Sequence, residues 1–369
     1  MKPILYITFD SVQEGVGASQ ALAYVKRVAA TRYIELISFE KEIPEESLIN
    51  EIEACGIVWN PLPFGSFGTT GGANRIFRLW KALDRKKIIH ARGNFSGIAA
   101  MLRFPKFWVW DSRALHADQR RAISGGRGLI SFYVMRLVEY LLGKRSSAII
   151  AITHAVVPIY VSRYRINPKK IHVISTCVDT KLFGEKPRKK TNITRILLQG
   201  TFSNAYDIIL MNKIIAKFRT RGQVEVTVCT SMGSTELWKE LDYDEVRSAR
   251  YQDMPEIIAS HDFGMSIWRE ELGICLKSVA STKVAEFLSV GRPIFVNHSQ
   301  GDMDSIITKN KIGVVTYGRT DSEVSIYVSN MVEILESNEL AKKCANVANK
   351  VYNLDLAIEK LNKMRSTNK

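Results

Sequence analysis

Several features that define other protein classes are missing from this sequence of 369 residues. Its five cysteines are scattered, odd in number and without a C-x-x-C pair, so neither a disulfide framework nor a zinc site is indicated. The longest apolar stretch, residues 146–160, is interrupted by His154 and Pro158 and is too short to span a bilayer. The first residues form a short apolar run without a cleavage site, which predicts a strand and not a signal peptide. These absences favour a reduced, cytoplasmic protein.

Positive charge is present in excess, and it is concentrated in one part of the chain. The net charge is +15, and the stretch from Arg75 to Arg145 holds 16 Lys or Arg against 4 Asp or Glu. Such a concentration predicts a polyanionic partner, although a solvated face without a partner has the same composition. Nucleic acid is disfavoured because no RNP-like, helix-turn-helix or zinc pattern accompanies the charge. Between Arg120 and Arg145 the arginines alternate with large apolar residues, as in a basic amphipathic helix that binds anionic lipid. The alternative there is a helix packed on the core with a solvated basic edge.

The order of apolar runs and amphipathic segments indicates the fold class. Buried-strand patterns alternate with helical patterns from the first residues, which predicts α/β architecture with parallel, doubly wound sheets. The basic, apolar-poor stretch GEKPRKKTNIT at 184–194 interrupts this alternation and is interpreted as a linker. We therefore predict two Rossmann-like domains, 1–186 and 187–355, that face a central cleft, with a helical tail at 356–369 crossing back.

One segment of the second half has the strongest chemical signature. In STKVAEFLSVGRPIFVN, residues 281–297, Lys283 and Glu286 lie three residues apart on one face near the start of a predicted helix. Unpaired backbone N–H groups and a lysine there suit a diphosphate, and a carboxylate one turn later suits a ribose diol. A plain amphipathic helix with an incidental Lys–Glu pair has the same spacing.

The string K-x-x-E-F-L-x-x-G-x-P in this segment resembles the donor-site signature of family 4 retaining glycosyltransferases, which have the GT-B fold. The resemblance implies that Glu286 binds the nucleotide ribose, that Lys283 faces phosphate, and that Ser281 and Thr282 line the phosphate and sugar end. It also assigns Gly200 and Thr201, which open the loop after the first strand of the second domain, to the donor site.

Two positions depart from the family pattern. A second glutamate, eight positions before the first in many members, is Ser278 here. The loop GTFSNAYD at 200–207 has no basic residue where the family tends to place an arginine and a lysine. Neutralisation of a diphosphate would then depend on Lys283, backbone amides and Arg269 or Lys277.

The first domain carries weaker motifs at predicted strand ends. DSVQEGVGASQ resembles the family's G-x-S-Q loop, with Gly15 and Gly17 allowing close backbone approach to a ligand, and Ser19 is expected to cap the next helix. The loop lacks the third glycine of the dinucleotide fingerprint, so an NAD site is not indicated. HARG and VWDSRA end two further strands, and by resemblance Arg92, Asp111 and Arg113 are catalytic candidates that engage the acceptor and the leaving phosphate. An ion pair that only orders these loops is the alternative.

The resemblance implies transfer of a sugar from a nucleoside-diphosphate sugar to a lipid-linked or polysaccharide acceptor in bacterial cell-surface glycan synthesis. It further implies retention of configuration, no metal, no other cofactor, and a location at the cytoplasmic face of the inner membrane. No D-x-D metal motif is evident in a suitable loop. Two alternatives stay open: a sugar-nucleotide 2-epimerase, which usually needs acid–base histidines in its cleft, and a degenerate non-catalytic GT-B partner subunit.

Overall fold

The structure is a computed structural model that describes residues 2–124, 128–230 and 236–366. The chain divides into two compact units, one formed by Met1–Ser175 with Leu354–Lys369 and the other by Thr176–Asn353. The stretch 184–194, predicted to be a linker, lies within the second unit. Among the described residues, each unit forms one parallel sheet with its own apolar core.

The sheet of the first unit has seven parallel strands in the described part of the chain. They are β1 (Ile4–Ile7), β2 (Ile34–Glu40), β3 (Val58–Pro63), β4 (Ile88–Arg92), β5 (Trp108–Ser112), β6 (Ala148–Ala151) and β7 (Ile171–Val173). Their order is β3-β2-β1-β4-β5-β6-β7, so the order reverses between β1 and β4. Ligands of doubly wound sheets bind beyond the strand ends at this switch point.

Helices connect these strands, because each parallel neighbour needs a crossover connection. A π-helical turn, Gly17–Leu22, continues into α1 (Ala23–Ala29). The others are α2 (Glu46–Ala54), α3 (Gly68–Ala82), α4 (Gly93–Arg103), α5 (His116–Ser124), α6 (Leu129–Arg145), α7 (Val157–Tyr164) and the 3-10 turn Pro168–Lys170. The core packed between sheet and helices includes Trp110, Leu142 and Tyr160.

The second unit repeats the same strand order with six described strands, β10-β9-β8-β11-β12-β13. The strands are β8 (Ile193–Gln199), β9 (Gln223–Cys229), β10 (Glu245–Arg247), β11 (Phe263–Ser266), β12 (Ile294–Asn297) and β13 (Gly313–Thr316). Its switch point therefore lies between β8 and β11. Both units are α/β with a doubly wound parallel sheet, which confirms the predicted pair of Rossmann-like domains.

The helices of the second unit follow the same alternation. They are α8 (Ile208–Arg219), α9 (Met254–Ala259), α10 (Thr282–Val290), α11 (Met303–Asn310), α12 (Asp321–Glu336) and α13 (Leu340–Val351), with 3-10 segments at Glu236–Glu240, Tyr251–Asp253 and Glu270–Ser278. Helix α10 ends at Gly291, which adopts a left-handed conformation with φ of 88°.

The last helix, α14 (Leu354–Ser366), belongs to the first unit although the second unit precedes it in the chain. It packs on α1, where Arg27 forms a bidentate ion pair with Asp355. Arg32 Nη1 donates to Asn362 Oδ1 at 3.2 Å. The prediction of a terminal helix that crosses back is confirmed.

Two local predictions were wrong. Ser19 does not cap a helix: it lies inside the π-helical turn, and its hydroxyl donates to Gly15 O at 3.0 Å. The basic stretch from Arg120 to Arg145 is not one helix, because it includes the end of α5 and all of α6. Part of that stretch, residues 125–127, lies outside the described residues.

Candidate functional site

The switch point of the second sheet is surrounded by polar side chains. Strand β8 ends at Gln199, β11 ends at Ser266, and α10 begins beside them at Thr282. Ser266 Oγ donates to Ser281 Oγ at 3.1 Å, which ties the start of α10 to the end of β11. Because Ser281 makes no side-chain cap bond, this helix terminus keeps the unpaired N–H groups that suit an anion.

Lys283 lies in the first turn of α10 and extends over the end of β8. Its Nζ donates to Tyr206 Oη at 2.6 Å and lies 5.0 Å from the centre of the Tyr206 ring. Gly200 passes directly beneath it with φ of 119°, a conformation that favours glycine. A Cβ at Gly200 would stand 2.4 Å from Lys283 Cε, so the lysine can occupy this place only above a glycine.

Glu286 is one turn further along α10 and only 6% exposed. Gln199 Nε2 donates to Glu286 Oε2 at 2.5 Å. Burial raises the pKa of Glu286 to about 7, against the lowering effects of Lys283 and the Gln199 hydrogen bond. Gln199 Oε1 is buried and has no hydrogen-bond partner among the described residues. The arrangement can exchange hydrogen bonds with a ligand that carries hydroxyl groups.

The structure brings four of the predicted donor-site residues to this strand edge with Glu286: Gly200, Ser281, Thr282 and Lys283. Thr201 is exposed on the loop that follows β8. Sequence reasoning missed an aromatic pair beside them, Tyr206 and Trp268, whose rings are stacked with centroids 4.7 Å apart. It missed Gln199 as well, although the last residue of a strand at a switch point is a general signal for ligand contact.

The switch point of the first sheet holds a cluster of charged side chains. Arg92 ends β4 and is in register with Asp111 on β5. Asp111 Oδ2 lies 3.1 Å from Arg113 Nη2 and 3.2 Å from His90 Nε2, and Arg92 Nε donates to Asp10 Oδ2 at 2.9 Å. The three predicted catalytic candidates are therefore neighbours. The Asp–Arg ion pair that formed the alternative interpretation is present too.

The electrostatics of this cluster favour an ionised aspartate beside a neutral histidine. Burial alone would raise the pKa of Asp111, but Arg113, His90 and Arg92 together hold it well below its usual range. Burial lowers the pKa of His90 to about 4 despite the neighbouring carboxylate. Among the described residues, Asp111 Oδ1 and Arg92 Nη1 are buried without hydrogen-bond partners. One acceptor and one donor are thus left over, a combination that a hydroxyl group can satisfy.

The glycine-containing loop after β1 is fixed by hydrogen bonds to the carboxylate of Glu40. This buried carboxylate, the last residue of β2, accepts from Ser11 Oγ at 2.5 Å and from Val12 N at 3.1 Å. Gly17 fits tightly, because a Cβ there would stand 1.7 Å from Ser11 O. Gly15 has φ of 56° with open space around its Cβ position. Glu40 was not identified from the sequence.

A comparison with known families matches residues 23–182 to the family described as Glycosyltransferase Family 4. This stretch, which lies mostly in the first unit, is similar to family 4 glycosyltransferases. None of the curated proteins compared with the chain matches its sequence.

Solved structures resemble the chain over its whole length. Anabaena Alr3699/HepE in complex with UDP and glucose has a TM-score of 0.74 at 13% identity, with 100% of both chains covered. Sucrose-phosphate synthase from Thermosynechococcus elongatus has a TM-score of 0.74 at 10% identity, covering 100% of this chain and 99% of that one. A TarM mutant from S. aureus in complex with fondaparinux, α-GlcNAc-glycerol and UDP has a TM-score of 0.70 at 10% identity, with 99% of both chains covered. At such identities the likeness shows the fold, which is GT-B.

The two departures from the family pattern have structural counterparts in the second unit. Ser278 is buried, and its hydroxyl donates to Cys275 O at 2.9 Å. The loop at 200–207 is contacted by arginines from other segments. Arg269 Nη1 donates to Asn204 O at 3.4 Å, and Arg319 Nε lies 2.8 Å from Asp207 Oδ2. Positive charge therefore reaches the loop from outside it, and Arg319 had not been predicted.

Proposed function

We propose that the chain is a glycosyltransferase that moves a sugar from a nucleoside-diphosphate sugar to a hydroxyl of a lipid-linked or polysaccharide acceptor in bacterial cell-surface glycan synthesis. The observation that carries the proposal is the pair formed by Lys283 and buried Glu286 on α10, at the switch point of the second sheet. The nucleotide and sugar ligands of the HepE and TarM structures support the same donor and acceptor classes.

The donor is held by the second unit. Lys283 and the first N–H groups of α10 bind the diphosphate, and Ser281 and Thr282 line its sugar end. Glu286 accepts two hydrogen bonds from the ribose diol. These bonds favour the ionised carboxylate, so they compensate for the burial that raises its pKa in the empty site.

The acceptor hydroxyl is held by the first unit. Asp111 Oδ1 accepts from it and Arg92 Nη1 donates to it, so both unpartnered atoms are satisfied. Arg113 keeps the aspartate ionised. The aspartate thereby orients a lone pair of the acceptor oxygen for attack.

Electrostatic stabilisation of the departing nucleoside diphosphate supplies the main catalytic effect, through Lys283 and the helix terminus. Configuration is retained in the proposed reaction. The acceptor proton, which is hydrogen-bonded to Asp111 Oδ1 before the reaction, passes to a leaving phosphate oxygen as the new glycosidic bond forms and the old one breaks. No metal ion participates.

The test of the donor site is calorimetric titration with UDP, GDP, ADP and CMP in the absence of metal. One nucleotide is expected to bind selectively, and Glu286→Ala should weaken it by about 1–3 kcal/mol through loss of charged hydrogen bonds. Glu333→Ala, on the exposed face of α12, is the matched control and should bind as the native chain does. Failure of all four nucleotides would overturn the proposal in favour of a non-catalytic partner subunit.

The reaction itself is tested by NMR of the product formed from the selected nucleotide sugar. Retention predicts that the new glycosidic bond has the donor's anomeric configuration, and a chelator should leave the rate unchanged. An inverted product, or loss of activity with chelator, would contradict the mechanism. Conversion of the sugar nucleotide into its epimer, with the nucleotide still attached, would identify an epimerase.

We further propose that the first unit binds the cytoplasmic surface of an anionic membrane through α6. Its exposed face carries an apolar stripe: Ile130, Tyr133, Val134, Leu137 and Tyr140 are exposed by 82%, 64%, 55%, 58% and 39%. Lys144 and Arg145 are exposed at the end of the same helix. Apolar side chains flanked by cations suit the boundary between headgroups and acyl chains. In the described residues, no helix has the length and apolar character needed to cross a bilayer.

A further inference from the structure

The terminal helix inserts one buried arginine into the first unit. Arg365 of α14 is 3% exposed, and its Nη2 donates to Tyr24 Oη at 2.8 Å and to His90 Nδ1 at 2.7 Å. His90 Nε2 in turn lies 3.2 Å from Asp111 Oδ2. A continuous line of contacts therefore leads from the end of the chain to the aspartate at the switch point.

The chemistry of these contacts fixes the state of the histidine. A guanidinium has only donors, so His90 Nδ1 must accept and cannot carry a proton. The proton of the neutral ring is then on Nε2, and it is donated to Asp111 Oδ2. Tyr6 and Tyr24 also face the ring, with centroids 4.7 and 5.4 Å from it, and the Arg113 guanidinium beside Asp111 lowers the pKa of His90 further. Burial raises the pKa of both phenols, so neither ionises near neutral pH.

Docking of α14 alone does not account for Arg365. The helix is already attached to α1 by Arg27 with Asp355 and by Arg32 with Asn362. Within the described residues, Arg365 Nε and Nη1 are buried without partners. Unsatisfied donors of a buried guanidinium destabilise the folded chain, so helix docking alone does not explain an arginine at this position. We therefore ask what its Nη2 contacts do to the residues that they reach.

We propose that Arg365 is a positioning residue of the first-unit site: through His90 it fixes the orientation of Asp111, so that Oδ1 stays available for an acceptor hydroxyl. The tautomer gives His90 one N–H towards Asp111, and together with Arg113 Nη2 it holds Oδ2. This inference rests on the proposed function for the role of the hydroxyl, and the arrangement of the three side chains can be tested without it.

The first test is the ring-nitrogen NMR spectrum of the full chain labelled with ¹⁵N-histidine, recorded between about pH 5 and pH 8. The signals of His90 are assigned by their absence in His90→Gln. The native chain should show the neutral Nε2–H tautomer throughout. In Arg365→Met the Nδ1 position can take a proton beside ionised Asp111, so the pKa of His90 should rise by about one unit or more.

The matched control is Arg27→Met, which removes an ion pair of α14 with α1 and leaves His90 and Arg365 in place. It should leave the His90 spectrum unchanged. A native Nδ1–H tautomer, a native imidazolium, or identical His90 titrations in Arg365→Met and the native chain would each overturn the proposal. A spectrum altered equally by Arg27→Met would show that α14 acts only as a packing element, which also overturns it.

The second test uses hydrolysis of the glucose derivative of the nucleotide that the chain selects, UDP-glucose where that nucleotide is UDP, with water in place of the acceptor hydroxyl. Arg365→Met and His90→Leu should lower kcat about ten-fold or more with little change in KM, because the wrong orientation affects only the attacking oxygen. His90→Gln retains a donor for Asp111 and an acceptor for Arg365, so it should restore most of the rate. Equal rates for His90→Gln and His90→Leu would contradict positioning. Absence of turnover in the native chain would count against the proposed function, while the NMR result still decides the role of Arg365.

Discussion

Lys283 lies directly above Gly200, so that a Cβ on the glycine would stand 2.4 Å from Lys283 Cε and 2.7 Å from Nζ. The two residues come from different segments of the second unit, the end of β8 and the first turn of α10. Their contact places the Lys283 ammonium group over the end of β8 and beside the N-terminus of α10. Positive charge is therefore concentrated at this point. Lys283 can therefore hold its charge at this place only because Gly200 has no side chain.

Gly200→Ala is expected to weaken nucleotide binding about ten-fold, which corresponds to about 1.4 kcal/mol. The new methyl group displaces the lysine, and φ of 119° is unfavourable for alanine. The measurement is calorimetric titration with the nucleotide that the native chain selects. Gly222→Ala is the matched control, since a Cβ there meets nothing within 4 Å. Unaltered affinity in Gly200→Ala would remove Lys283 from the diphosphate site.

Glu286 predicts a pH dependence of stability in the empty protein. Burial raises its pKa from 4.5 to about 7, so the folded chain holds this proton more tightly than the unfolded chain does. Its contribution to stability is therefore fully present below about pH 4.5 and is lost as the pH rises to about 7. Glu286→Gln cannot ionise, so its free energy of unfolding relative to the native chain should rise by about 2–3 kcal/mol between pH 5 and pH 8.

Urea unfolding of both chains at the two pH values measures this difference. Glu333→Gln, an exposed glutamate of α12, should show no such trend. A constant difference between Glu286→Gln and the native chain would mean that Glu286 ionises as an exposed glutamate does.

Arg292 is completely buried in the second unit and binds the backbone of residues 186–187. Its guanidinium donates to six backbone carbonyls. The four shortest bonds go to those of Lys186 at 2.9 Å, Pro187 at 3.1 Å, Ala259 at 2.7 Å and His261 at 2.9 Å. In the sequence it appeared only as the variable residue between Gly291 and Pro293.

Arg292→Met keeps much of the volume but leaves these carbonyls without their donor. We expect it to lower the free energy of unfolding by about 3–5 kcal/mol, as when one partner of a buried charged network is removed. Arg250→Met removes an exposed arginine and should leave the stability close to that of the native chain. Thermal and urea denaturation of both variants decide the point. A small effect at Arg292 would mean that water replaces the lost hydrogen bonds.

Most of the fold was predictable because buried parallel strands are continuous apolar runs. The segments at 88–92, 108–112 and 294–297 have that pattern, and each forms a strand end near a site. The strand β10 was not predicted, since Glu245–Arg247 is polar and pairs only with β9 at the sheet edge. A short edge strand has no apolar signature, because only one side of it is covered.

The site was predictable only where its residues are neighbours in sequence. Lys283 and Glu286 share a motif, whereas Gln199 meets Glu286 across 87 positions and Arg365 meets His90 across 275. Such partners are brought together by strand order and by the return of the last helix, and their local sequences are ordinary. Composition and spacing contain no information on those contacts.

The apolar stripe of α6 predicts binding to anionic lipid surfaces. The full chain should bind vesicles of phosphatidylglycerol and bind phosphatidylcholine vesicles far less, because the stretch from Arg75 to Arg145 has a net charge of +12. Raised salt should weaken the binding, since exposed charges are screened. The double variant Ile130→Ser with Leu137→Ser should lose about ten-fold or more in affinity, because two side chains no longer enter the acyl boundary.

The matched control for the vesicle measurement is Ile326→Ser on α12 of the second unit. Ile326 is 57% exposed and Leu137 is 58% exposed, so the two sites differ in surroundings and not in accessibility. The control should bind vesicles as the native chain does. Equal loss in both variants would indicate a general effect of surface hydrophobicity. Binding that depends on charge but not on Ile130 and Leu137 would reduce the contact to electrostatic attraction, with α6 lying outside the bilayer.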